Sequence, residues 1–93
     1  MIKVEAKEFY LNNPSISLDD FDDPLSNIIE LYDAGAVKVW VVDEYNDGLE
    51  NPDTIYIDVG NSIRPDLLVT VCNLRPDECS YSDDGLFIRL WWD

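Results

Sequence analysis

Hydrophobic residues recur along this chain with two periods, and each change of period marks the border of an element. Ile2, Val4 and Ala6 alternate with Lys3, Glu5 and Lys7, which predicts a half-buried strand running from Ile2 to Tyr10. Asn12, Asn13, Pro14 and the polar run to Asp20 read as loop. Asp22 and Asp23 then cap a helix that Pro24 opens, and Leu25, Ile28, Ile29 and Tyr32 lie on one helical face, with Gly35 as the left-handed stop. Val37, Val39 and Val41 against Lys38, Trp40 and Val42 predict a second strand over Ala36 to Asp43. Turn formers fill Glu44 to Asp53, and Thr54 to Val59 makes a third strand with Ile55, Ile57 and Val59 inward.

The stretch after Gly60 has strand composition in Leu67–Val71 but helix punctuation at its flanks. Pro65 and Asp66 suit a first turn, and Arg75 with Pro76 suits an end, so the expectation is a helix over residues 66–75 burying Leu67, Leu68, Val71, Cys72 and Leu74. Asp77 to Gly85 reads as loop, and Leu86 to Trp92 as a closing strand with Leu86, Ile88 and Leu90 opposite Phe87, Arg89 and Trp91. The order is strand, helix, strand, strand, helix, strand. It resembles the ferredoxin-like βαββαβ arrangement, an α+β fold whose four-stranded antiparallel sheet carries two helices on one face, in the spatial order fourth, first, third, second. One domain over residues 1–93 is expected. The strings VWVVD (Val39–Asp43), DTIYIDV (Asp53–Val59) and LWWD (Leu90–Asp93) also resemble those of small uncharacterised acidic bacterial proteins. That resemblance implies no activity.

Charge changes the picture more than any motif. Twenty acidic residues face six basic ones with no histidine, for a formal net charge of -14. No basic residue lies between Lys7 and Lys38, nor between Lys38 and Arg64. Such a surface repels nucleic acid and anionic membrane and attracts basic proteins. Three Trp, five Tyr and three Phe with 46% hydrophobic content still argue for a folded chain rather than an acidic tail. Like-charge repulsion makes the fold one that added salt stabilises. No leader or long apolar run is visible, so a cytoplasmic protein is expected, with Cys72 and Cys79 as thiols.

The absence of histidine removes Ser-His and Cys-His nucleophilic catalysis, and no glycine-rich phosphate loop is present. Asp43, Tyr45, Asp47, Gly48 to Thr54 imitates a calcium loop, but Tyr45 and Thr54 stand where ligands are needed. No enzyme, no cofactor and no metal site are therefore expected.

Two surfaces remain as candidates. The acidic one comprises Asp19, Asp20, Asp22, Asp23, Asp43, Glu44, Asp47, Glu50, Asp53, Asp77, Glu78, Asp83 and Asp84. The other is the predicted helix-free sheet face, with Trp40, Tyr56, Phe87 and Trp91 interleaved with Lys3, Lys7, Lys38 and Arg89. Cationic stems or acidic loops covering those rings is the plain structural reading of that face; an interface is the other. An RNA-binding sheet needs a stacking aromatic on its first strand, where Lys3, Glu5 and Lys7 stand. The leading expectation is a small acidic non-enzymatic interaction protein that binds a basic protein surface. Its inhibitory form mimics nucleic acid, as DNA-mimic inhibitors and immunity proteins do, which it resembles in size and charge. The alternative is a ferredoxin-like module that homodimerises or docks a partner through the aromatic face.

Overall fold

The alternation that opens the chain lasts only four residues. In the computed structural model, which describes residues 1–19 and 21–93, β1 (Ile2–Glu5) passes directly into helix α1 (Ala6–Asn12). Ala6, Phe9 and Tyr10 have the i, i+3, i+4 spacing of a helix, and Ala6 and Tyr10 are buried. The strand expected to reach Tyr10 is thus a strand and a helix. Glu5 makes the switch: its carboxylate accepts from the backbone N–H groups of Lys7 (2.9 Å) and Glu8 (2.8 Å), capping the new helix.

The remaining elements are α2 (Pro24–Asp33), β2 (Lys38–Asp43), β3 (Thr54–Asp58), α3 (Pro65–Asn73), β4 (Glu78–Tyr81) and β5 (Phe87–Trp91). Asp23 caps α2 through Ser26 N–H (3.2 Å), and Gly35 takes φ +118° beyond its end, both as anticipated. The buried side of α2 is turned from the predicted one: Ile28 and Leu31 are fully buried, whereas Ile29 is exposed and Tyr32 sits at the margin. The disputed segment is the helix α3, which buries Leu67 and Val71 and leaves Leu68 and Cys72 exposed.

Among the described residues the fold is α+β, with three helices and one five-stranded antiparallel sheet in the order β1-β2-β3-β5-β4. This corrects the expected four strands and the ferredoxin-like order, in which the first strand is central. Here β1 lies at an edge beside β2: two helices, α1 and α2, separate them where the ferredoxin-like order has one, and the chain returns antiparallel to β1 and pairs with it directly. The fifth strand, β4, comes from the segment read as loop. Glu78, Cys79, Ser80 and Tyr81 are all exposed, so no buried alternation announces it.

All three helices cover one face. Val39, Val41, Ile55, Ile57, Ile88 and Leu90 project from the sheet to meet Ala6, Tyr10, Ile28, Leu31, Leu67 and Val71 in a single core. Leu18, from the loop after α1, is also fully buried there. Trp92 closes one end, edge-on to Phe21 (5.4 Å between centroids), and its indole N–H donates to Leu74 C=O (3.0 Å).

Where β1 turns away, β2 continues, and the N–H of Val39 has no β1 partner. The Tyr32 hydroxyl accepts from it (3.0 Å) and donates to Glu5, joining β1, α2 and β2 through one oxygen. Burial and then the Glu5 bond push the Tyr32 hydroxyl up to about 12, so it stays a donor throughout the stable pH range. Tyr32→Phe keeps the ring but strands the Val39 N–H. A loss of about 1–2 kcal/mol in urea unfolding is expected.

Candidate functional site

The helix-free face shows what the cations do. Trp40, Tyr56, Phe87 and Trp91 all stand on it, each half-buried. Lys3 lies across the sheet with Nζ 4.6 Å from the Trp40 ring centroid and 5.7 Å from that of Phe87, and Lys38 approaches Trp40 from the side at 5.8 Å. Lys7, expected here, is on α1 instead, since the strand ends at Glu5. Two of the four rings, Trp40 and Phe87, thus have the chain's own cations over or beside them.

Arg89, in the middle of β5, is clamped rather than free. Its Nε and Nη2 donate to Glu44 at 2.9 and 2.7 Å, its Nη1 donates to Glu78 at 3.1 Å, and Tyr56 donates to the same Glu44 carboxylate at 2.7 Å. The paired Arg89–Glu44 contact is a two-point fork across β5, β3 and the end of β2. The Arg89 hydrogen bond, aided by Tyr56, holds the Glu44 carboxyl below its ordinary value against the opposing effect of burial, and Arg89 is correspondingly raised.

Many of the other candidate carboxylates also hold the fold. Asp43 is buried and accepts from Asp47 N–H (2.9 Å) and Gly48 N–H (2.8 Å), which folds the β2–β3 loop back on itself. Burial opposes its ionisation, but these backbone donors outweigh it and lower its pKa. Asp23 is the α2 cap; Asp53 accepts from the Thr54 hydroxyl (2.8 Å); Asp77 accepts from Asp93 N–H (2.6 Å). Asp84 accepts from Ser82 Oγ and from Leu86 N–H (3.0 Å) in the turn between β4 and β5, and the Ser82 bond followed by the Leu86 bond lowers its pKa. Asp20 lies outside the described residues.

What the fold assembles is an acidic pole at one end of the sheet. Asp43 ends β2, Thr54 begins β3 and pairs with Trp91 near the end of β5, and Trp91 pairs with Glu78 at the start of β4. The loop after α1 is tied to the same end by Asp19 N–H donating to Pro52 C=O (3.0 Å). A cleft of about 250 Å³ lies there, walled by Asp19, Asp53, Asp93, Ser17 and Asn51 over Trp92. A smaller one of about 90 Å³ adjoins it through Pro52 and Asp53, with Asp43, Glu44 and Asp47 on its wall. Asp47 and Glu50 are exposed on the loop between β2 and β3. Asp22 and Asp23 line a separate cleft with Pro14, Ile16 and Leu25, and Asp83 and Asp84 lie at the far end of the sheet. The candidate acids thus divide into a gathered group and scattered ones.

Asp93, Ser17 and Asn51 joined the site without any sequence signal, because the three segments that carry them are tens of residues apart along the chain. Chemically, the pole offers oxygen acceptors and negative charge. No group of three His, Cys, Asp or Glu side chains that could hold a metal ion forms among the described residues. A further cleft of about 390 Å³ runs along β1 between Trp40 and Phe9, with mixed charge from Lys3, Glu5 and Glu8. No helix among the described residues is long and apolar enough to cross a membrane.

Compared with protein-family models, curated proteins and solved structures, the chain matches none. Function therefore has to be argued from this geometry alone.

The clamp gives a pH test. Glu44 titrates lower when folded than its ordinary 4.5, so its stabilisation is complete above that value and is lost as pH falls through the folded one. Glu44→Gln should cost about 1 kcal/mol near neutral pH, and thermal melts of the two proteins should converge only as pH falls below 4.5 and through the lower folded value.

Proposed function

We propose that the protein is a small non-enzymatic interaction protein whose acidic pole binds a basic protein surface. The observation that carries this reading is the convergence of Asp19, Asp53 and Asp93, from three separated segments, around one cleft beside the exposed Asp47 and Glu50. Carboxylates scattered only for solubility have no reason to converge, whereas a recognition surface needs them within reach of one partner. A groove that handles nucleic acid is a basic surface of this kind, and occupying it by phosphate-like spacing is the inhibitory form of the proposal. The absence of histidine supports a binding role over a catalytic one.

The aromatic face supports the competing association module less well. Its cations are committed to its own rings and to Glu44, so a sheet-to-sheet partner would have to displace Lys3 from Trp40 and Phe87.

The test uses Asp47→Lys with Glu50→Lys, two exposed positions outside the hydrogen-bonded set. Pull-down from native lysate at low salt is expected to retain basic proteins on the parent chain. The double reversal should weaken that retention about tenfold or more, and about 0.5 M salt should abolish it. Glu30→Lys, on the exposed side of α2, should leave it intact. Retention that survives both the reversal and the salt overturns the proposal.

A further inference from the structure

The two edges of the sheet are treated differently. β1, four residues long like β4, runs straight into α1, and its Lys3 side chain reaches away from the edge over Trp40 and Phe87. β4 has nothing beyond it in the sheet order and all four of its residues are exposed. Edge strands left open in this way are templates for another strand. Ser82 N–H donates to Phe87 C=O (3.0 Å) at the turn, so by alternation Ser80 and Glu78 bond to β5, and the backbone groups of Cys79 and Tyr81 point to the open edge.

Both sides of that edge have features that fit an added strand. On the helix side, Cys79 stands opposite Leu90 and Tyr81 opposite Ile88, both of them core residues, and Tyr81 is 53% exposed. On the other side, the small Ser80 leaves a cleft of about 140 Å³ walled by Tyr56 and Phe87, in which Arg89 is already neutralised by Glu44 and Glu78. Asp77 and Glu78 stand at one end of the strand, Asp83 and Asp84 just past the other.

We infer that the β4 edge receives an extended basic segment of a partner protein, which adds a sixth strand to the sheet. Its apolar side chains alternate toward the helix side beside Tyr81, and its lysine or arginine side chains lie over Ser80, with the exposed carboxylates of Glu78 and Asp83 at the two ends of the strand. A second copy of this chain suits the edge poorly, because it would bring Glu78 and a net charge of -14 against their like. The inference deepens the basic-partner reading and rests on it for the partner's sign, but it names a different contact.

The probe is a blocked heptapeptide, Lys-Val-Lys-Phe-Lys-Val-Lys, added to the full chain at low salt and followed by amide hydrogen exchange. Slowed exchange at Cys79 and Tyr81 is expected. The same peptide N-methylated at the nitrogens facing β4 keeps its charge and should bind about tenfold more weakly, the equivalent of a lost pair of main-chain hydrogen bonds. Tyr81→Pro, which removes an outward N–H from an edge position, should do the same to the unmodified peptide, with a thermal melt to check the fold. Equal binding of the N-methylated peptide, or no protection at β4, overturns strand addition. If binding then disappears in Asp47→Lys with Glu50→Lys, the acidic pole keeps its role. If instead β4 protection persists in that double variant, the edge contact stands without the pole. Protection of Cys79 and Tyr81 in the protein alone, rising with its concentration, would assign the edge to a second copy and overturn the proposal.

Discussion

Glu5 is the residue on which the layout of this fold turns. A strand that begins with Ile2 and Val4 would by its pattern run on, but the Glu5 carboxylate captures the N–H groups of Lys7 and Glu8 and starts a helix. The same carboxylate holds the Tyr32 hydroxyl, and Tyr32 in turn satisfies the Val39 N–H that the departing strand leaves open. Burial raises the Glu5 pKa, yet the bonds from Tyr32, Glu8 and Lys7, with Lys38 nearby, bring it below its ordinary value. The helix that starts here and α2 after it bring the chain back antiparallel beside β1, which is the edge of the sheet β1-β2-β3-β5-β4.

That layout also decides how the charge is spent. Net charge alone suggests a molecule coated in free carboxylates, but much of it is structural: Glu5 and Asp23 cap helices, Asp43 and Asp84 shape loops, and Glu44 with Glu78 holds Arg89. The fork to Arg89 and the Lys3 stem close the aromatic face from within. Asp19, Asp53 and Asp93 meet at the pole because β2, β3, β4 and β5 all bring a terminus there and the loop after α1 is tied to Pro52. Two open features then stand out on the surface, an acidic end and the bare edge of β4.

Much of this was legible along the chain. The helix over residues 65–73 followed from its punctuation despite strand-like residues, and α2, β2, β3 and β5 from periodicity and caps. The acids of the pole were visible as a group but could not be separated from Asp83 or from the buried Asp43, because residue type says nothing about which carboxylates meet a backbone N–H. α1 and β4 were missed for opposite reasons. In α1 a two-residue alternation ran on into a helical spacing, and in β4 no residue is buried, so hydrophobic pattern carried no information.

The chain by itself therefore determined where most elements begin and end, the inward faces of β2, β3 and β5 and the sign of the surface, since these follow from local periodicity, capping and composition. Strand order, the shared Tyr32 hydroxyl, the Glu44–Arg89 fork and the gathering of Asp19, Asp53 and Asp93 were decided only in three dimensions. Each depends on contacts between residues dozens of positions apart, and no local pattern encodes which distant donor a carboxylate will find.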